Sequence, residues 1–307
     1  MIGLNTYSFA LNTGLVKGKK KKWSFINIIK FLQENELNHL EFPIDLFSSK
    51  EKKNYQYYLN FLKENKINYI IDLEKFSLKK IKNLIKLRKK FKFNIVRVKM
   101  SNFFGGNRYR VKNFENIKKN FYKNIIKCDK LKPNFKIAIE NHQDLTSLEL
   151  LEIVQLARNK KIYINWDIGN SLATFEPPEF FFHRLKKYII NVHIKNYLIF
   201  DTKLGFCLKR TDLKKGIIEL KKYIKIFYKK KIYQSIELAA YKQRHCDYKL
   251  NEYLEQLSVK KKQKIDFKKY LKKNTSDIEG IKKQHFSYKK EIEEFKKSVD
   301  YVKRVIK

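Results

Sequence analysis

The stretch KIAIENHQDLTSLELLEIVQLARNKKIYINWDIGN, residues 136–170, decides the fold. It opens with alternation: Ile137 and Ile139 share one face, while Ala138, Glu140 and His142 share the other. That is the two-residue period of a strand. Thr146 then opens an amphipathic segment over 146–158, in which Leu148, Leu151, Val154 and Leu156 recur at helical spacing. A second alternating run follows at 162–170. There Ile162, Ile164, Trp166 and Ile168 oppose Tyr163, Asn165, Asp167 and Gly169. Strand, helix and strand within ~30 residues make one βαβ unit, and such a unit lays its strands parallel.

The same alternation extends outward in both directions. Strands are predicted at 2–7, 39–43, 67–73, 94–100, 189–195 and 232–239, in addition to 136–142 and 162–169. Helices are predicted between them at 24–34, 50–64, 77–91, 113–130, 178–188 and 212–230, with Ser24, Ser77, Thr146 and Asp212 as caps. Strands alternating with helices in this way predict an α/β fold, a (β/α)8 TIM barrel. A doubly wound open sheet is the competing architecture, but no GxGxxG or GxxxxGK[ST] follows the first strand. Residues 1–245 are read as the barrel. Residues 246–307 are read as a Lys-rich helical C-terminal extension, amphipathic near 249–258, 266–272 and 289–306, that packs on the barrel or serves a homo-oligomer.

A net charge of +39 invites a nucleic-acid reading. The lysines are spread along the whole chain rather than gathered in one stripe, which weighs against it. They are read as solvated helix faces that still draw small anions into clefts. Cys128, Cys207 and Cys246 show no CxxC spacing, so a reducing, cytoplasmic setting is expected. The opening MIGLNTYSFALNTGL has no basic segment ahead of its apolar run and reads as a strand and loop rather than a signal peptide. No run reaches the ~18 apolar residues that a bilayer span needs, so no membrane partner is expected.

Glu140, Asp167, His193 and Glu237 each lie near the end of a predicted strand, on its polar face. They are spaced 27, 26 and 44 residues apart, one or two strand–helix units. Barrels of this class place their chemistry at the C-terminal ends of the strands. Three carboxylates and one imidazole converging there suit one divalent ion: Mn²⁺, Mg²⁺ or Co²⁺, with Zn²⁺ also compatible. Such an ion acidifies a C–H beside a chelated carbonyl. Glu140 and Glu237, flanking the substrate carbon, would exchange the proton through an enediolate.

The local sequences IENHQDLTSLELLEI, WDIGNS followed by EPPEF, NVHIKN and SIELA resemble the xylose isomerase-like TIM-barrel superfamily of sugar phosphate isomerases/epimerases, which also includes apurinic-type endonucleases. IGLNTYSFA and HLEF match its first two strands, so the resemblance spans about residues 1–245. It implies that Glu140, Asp167, His193 and Glu237 hold one metal and that the two glutamates are the acid and base. Two positions depart from the 3-epimerase pattern: Asn170 replaces a histidine and Ile199 replaces an arginine. A metal-dependent isomerase or epimerase of a small sugar, sugar phosphate or sugar acid is therefore expected. A lyase, dehydratase or decarboxylase, on a related hydroxy-carbonyl compound is the alternative. The endonuclease needs a trinuclear zinc cluster, and six histidines in the whole chain argue against it.

Further residues are assigned to substrate. His142 shares a face with Glu140, and Lys195 shares one with His193. Asn170 follows Asp167. Arg108 and Arg110 lie in the loop SNFFGGNRYR, whose glycines permit close backbone approach to an oxyanion. Arg97 alternates with Lys99 and points to the interior, where either substrate or a neighbouring carboxylate is its partner. Trp166 is read as core rather than as a sugar-stacking platform.

Overall fold

The computed structural model describes residues 1–16, 20–46, 54–89, 91–103, 107–239, 243–247, 251–257, 260–276 and 286–307. Eight parallel strands close into a barrel. They are β1 (Ile2–Asn5), β2 (His39–Pro43), β3 (Asn68–Leu73), β4 (Ile95–Val98), β5 (Lys136–Glu140), β6 (Ile162–Asp167), β7 (Ile189–Ile194) and, later in the chain, β10 (Tyr233–Ile236). Pairing follows chain order, and β10 closes the ring between β7 and β1. Helices α1 (Phe25–Glu34), α2 (Tyr55–Glu64), α3 (Leu78–Leu87), α4 (Phe114–Lys130), α5 (Ser147–Leu156), α6 (Pro178–Leu185) and α7 (Leu220–Lys229) connect the strands. The (β/α)8 architecture is thus the one the periodicity predicts.

Local chemistry explains the element starts. The Ser24 side chain accepts from the Asn27 N–H, and Thr146 accepts from Glu149 N–H, each completing a capping box. Ser77 caps α3 by accepting from the Lys80 N–H, without the reciprocal bond. Along the strands the outward residues are aliphatic and fully buried beneath the helices, among them Ile137, Ile139, Ile164, Val192 and Ile194. Trp166 stacks on Phe181 and Phe182 in that outer layer, the core role expected of it. The interior is sealed low down by Ile70, Ile95 and Ala138, with Ile190 and Tyr233 against them. Above this plug the inward residues become polar.

The region after β7 differs from expectation. Asp212 does not cap a helix: its Oδ1 accepts from Lys214 N–H in a turn, and α7 begins only at Leu220. Before it lies an antiparallel hairpin, β8 (Asn196–Asp201) and β9 (Phe206–Thr211), extended by β11 (Arg244–Cys246). Its apolar face packs with Leu172, Phe175, Tyr253, Leu257 and Phe267, which brings in α8 (Asn251–Gln256) and α9 (Lys261–Asn274). Because β8 starts two residues after β7 ends, this small sheet stands over the C-terminal end of the barrel. The last helix, α10 (Tyr288–Ile306), packs Phe295, Val299 and Val302 into the main core. Its Glu291 accepts from the backbone N–H groups of Leu11 and Asn12. Among the described residues no helix is long and apolar enough to cross a membrane, and the three cysteines are free and buried.

Arg108 corrects an expectation. Its buried guanidinium donates to Glu149 at 2.9 and 3.1 Å, to the Asp144 carbonyl at 2.8 Å, and to the Gln256 carbonyl and side chain at 3.1 and 3.3 Å. A guanidinium has five N–H donors, and all are used inside the protein. Arg108 therefore ties α5 to α8 and has none left for a substrate oxyanion. Arg110 pairs with Asp247 at 2.5 Å on a largely exposed side chain. Gly105 and Gly106 of this loop lie outside the described residues.

Burial alone would raise the Glu149 carboxyl, but Arg108, the Thr146 N–H and Lys118 hold it at about 2. A depressed carboxylate contributes stability that is complete above the unfolded value near ~4.3 and is lost as pH falls toward the folded value. Glu149→Gln is expected to destabilise the protein at neutral pH by about 1–3 kcal/mol. It should also flatten the loss of stability between about pH 4.5 and 2. Urea unfolding at stepped pH checks both, and an acid limb identical to wild type would refute the assignment.

Candidate metal centre

Glu140 is the last residue of β5, Asp167 the last of β6, His193 the fifth of β7, and Glu237 directly follows β10. All four are buried. One ligand atom from each of Glu140, Asp167 and His193 lies within 4.8 Å of the others. Glu237, the fourth ligand expected, is not part of that group; it lies against His193, whose Nδ1 is 2.7 Å from Glu237 Oε2, off the line of a well-formed hydrogen bond.

The imidazole is oriented from below. His193 Nε2 contacts Glu41 Oε1 and Oε2 at 2.9 and 3.0 Å. A carboxylate only accepts, so Nε2 carries the proton and donates. Asn191 and Ser235 also donate to Glu41, at 3.0 and 2.8 Å. Nδ1 is thereby the ring nitrogen presented to the cluster, the arrangement by which a carboxylate fixes a metal-binding histidine. Burial disfavours the imidazolium, yet Glu41 and Glu237 outweigh it and hold His193 well above its usual value.

Arg97, on β4, resolves the question the sequence left open: its partners are carboxylates. Its guanidinium bonds Glu140 Oε2 at 2.5 Å, Glu41 Oε1 at 3.2 Å and Asp72 Oδ2, all buried. One oxygen of Glu140 is fixed in this way. Asp167 is fixed from three sides. Its N–H donates to Asn141 Oδ1, its carbonyl accepts from Asn141 Nδ2, and its Oδ2 accepts from Asn170 Nδ2 at 2.6 Å. Gln143 holds the far end of Asn170 at 2.9 Å from a left-handed backbone position (φ 68°). Asn170 thus orients Asp167 through its Nδ2 and is itself held by Gln143 through its Oδ1.

The residues fit a divalent cation on their own chemistry. Asp167 Oδ1 is buried with no hydrogen-bond partner. An unpaired buried carboxylate oxygen is costly, and here it sits beside a glutamate and an imidazole with an oriented ring nitrogen. Lys195 enters the same cluster, with Nζ 2.5 Å from Asp167 Oδ2 and 3.1 Å from Glu237 Oε2. His142 is buried at the end of β5, and burial with the charges of Lys99, Arg97 and Lys195 pushes it well below its usual value. Ile199 is a buried apolar residue of β8. Glu41, Asp72 and Asn141 were missed at the sequence level. Glu41 and Asp72 show only as single acids in apolar strands (HLEFP, NYIIDL), and that pattern was the available signal.

Fold and site together define a (β/α)8 barrel carrying a buried carboxylate–imidazole cluster at the C-terminal ends of its strands. Solved structures share that barrel. L-ribulose 3-epimerase matches with a TM-score of 0.59 at 10% identity, covering 99% of this chain and 94% of its own. The probable 3-DHS dehydratase AsbF of Bacillus anthracis matches with a TM-score of 0.56 at 19% identity, covering 77% and 92%. The IOLI protein, solved with a binding zinc atom, matches with a TM-score of 0.51 at 14% identity, covering 90% and 99%. At these identities the likeness shows the fold. No protein-family model and no curated protein sequence matches the chain.

Removing one orienting partner is expected to weaken, not abolish, cation binding. Glu41→Gln should lower Mn²⁺ affinity about 10–100-fold. Asp167→Asn should abolish it at comparable protein concentrations. Titration calorimetry with the full chain reads both. Equal affinity in wild type and Asp167→Asn would exclude this cluster as the site.

Proposed function

We propose that the protein is a divalent-metal-dependent isomerase or epimerase of a small sugar, sugar phosphate or sugar acid. Glu140, Asp167, His193 and Glu237 are the ligand set. The observation that carries this reading is the convergence of Glu140, Asp167 and His193 within 4.8 Å, with Glu237 on the His193 ring. When bound, the ion would polarise a carbonyl and lower the cost of removing the adjacent proton. The protein's own residues do the rest. Glu140, clasped on one oxygen by Arg97, and Glu237, set between His193 and Lys195, would remove the proton and return it. His142, kept neutral by burial and the surrounding cations, would hydrogen-bond a substrate hydroxyl. Burial of the ligand residues excludes bulk water from the exchange. The zinc in the IOLI structure and the epimerases among the structural neighbours are in keeping with this reading.

A second reading is favoured by Lys195. Its ammonium lies 3.1 Å from Glu237 and would give a proton to a departing hydroxyl after Glu237 has taken one from the neighbouring carbon. That is dehydration, and a dehydratase is also among the structural neighbours. Incubating Mn²⁺-loaded protein with ketoses, inososes and sugar acids in deuterated water separates the two. Deuterium incorporation with the carbon skeleton and hydroxyls retained is the expected result, and loss of water identifies the lyase. Glu237→Gln should slow exchange by about 10²–10⁴-fold. If no compound shows metal-dependent exchange, the proposal is wrong.

A further inference from the structure

The end of the barrel opposite the carboxylate cluster holds a cleft of about 310 Å³, open where β3, β4 and β10 begin. Its floor is the plug that seals the interior, since Ile70, Ile95 and Tyr233 line both. Leu59, Ile67 and Phe91, all buried, extend this apolar surface. The rim is cationic. Lys63 and Lys66 come from the turn that joins α2 to β3, and Lys92 from the connection between α3 and β4. The Tyr69 hydroxyl accepts from the Lys92 N–H, which fastens that connection to β3. All three lysines are exposed, and none makes a hydrogen bond or ion pair through its ammonium among the described residues. No Asp or Glu lines the cleft. Elsewhere on the surface lysines meet carboxylates, as Lys80 meets Asp45 and Lys222 meets Glu179. Two amides complete the rim. Gln56 donates to Asn60 Oδ1 at 2.8 Å, and Arg88 donates to Asn94 Oδ1 at 3.0 Å. Each asparagine keeps its Nδ2 donors unused among the described residues.

Ammonium groups gathered around one cleft without a counter-charge repel one another, and an anion among them relieves that repulsion while gaining charge-assisted hydrogen bonds. A phosphoryl group carries about −1.5 to −2 charges near pH 7 on three acceptor oxygens. It therefore uses donors arriving from two segments more fully than a carboxylate, which has two oxygens. The apolar floor calls for more than a bare anion. Small-molecule sites pair such a floor with a few placed polar groups, in volumes from about 300 Å³ upward. Gln56, whose Nε2 is spent on Asn60, still offers its oxygen as an acceptor at the rim, which suits the amino edge of a base. We propose that this cleft binds a small organic phosphate of the nucleotide kind. Lys63, Lys66, Lys92, Asn60 and Asn94 hold the phosphoryl group, and a flat body lies on Ile70, Ile95 and Tyr233. The site is separate from the metal centre, because the two stand at opposite ends of the same strands.

Calorimetry on the full chain with AMP, adenosine and inorganic phosphate tests it. EDTA is present, so that no divalent ion bridges a phosphate to the carboxylate cluster, and salt is physiological, so that charges more than ~8 Å away are screened. AMP is expected to bind at one site, about tenfold or more tighter than either adenosine or inorganic phosphate. Lys63→Gln combined with Lys92→Gln should weaken AMP about tenfold or more. Lys268→Gln combined with Lys272→Gln removes the same charge from exposed positions of α9 and should change AMP affinity less than about twofold. Asn60→Asp sets a negative charge on the rim at an exposed position of α2 and should weaken AMP as the first pair does, which keeps the test sound if that pair fails to fold. Circular dichroism is expected to match wild type in all three. No binding of AMP, adenosine or inorganic phosphate binding as tightly as AMP, equal losses in the two lysine pairs, or full AMP affinity in the folded rim variants overturns the proposal.

Discussion

One buried guanidinium organises the interior of this barrel. Arg97 bonds Glu41, Asp72 and Glu140, which come from three other strands. Carboxylates this deep would be prohibitively costly alone, and each is tolerated because it is paired and hydrogen-bonded. Asp72 shows the tension: burial outweighs Arg97 and pushes its carboxyl up to about 7. Glu41 goes the other way. Burial opposes its charge, but His193, Arg97 and Ser235 hold it down at about 2. From Arg97 the order passes through Glu41 to the His193 ring, and directly to Glu140. Two of the proposed metal ligands are therefore positioned by a residue that holds no metal.

The second constraint is the continuity of β7 with β8. Only Lys195 separates the strand that carries His193 from the strand that carries Tyr197. The capping sheet cannot shift without moving the wall beneath it. Gly169 and Tyr197 reinforce this by locking the loop after β6 against the same sheet. Tyr253 donates to the Ala173 carbonyl and brings α8 into the same assembly. Arg108 fastens α8 to α5 through Gln256 and Glu149.

The barrel was legible because its information is local: a period of two in the strands, a period near 3.6 in the helices, and caps such as Ser24 and Thr146. The positions of Glu140, Asp167 and His193 were legible for the same reason, since a polar residue at the inward end of an apolar strand stands out. Pairing was not legible. Glu41 meets His193 across 152 residues only because the sheet closes, and Arg97 meets Asp72 across 25 because β3 and β4 pair in that register. The β8–β9 hairpin was missed because β7 runs into β8 with no turn residue between them, and because Asp212 imitates a helix cap. Arg108 was misjudged because a loop arginine beside glycines looks alike in sequence whether it faces a ligand or a glutamate.

Lys195 links the proposed metal site to the cap through charge. Its ammonium already bonds Asp167 Oδ2 and Glu237 Oε2. A divalent cation on the same two carboxylates would add like charge in a site largely closed to water. Each pair of unit charges 4 Å apart is worth about 4 kcal/mol at the effective dielectric of such sites. The carboxylates shared between the two cations offset part of that repulsion. An anionic group beside Lys195 offsets more, because it meets an ammonium whose carboxylate partners are being drawn toward the ion. A metal and an anionic ligand at this spot would then bind with positive coupling, each raising the affinity of the other by the same factor.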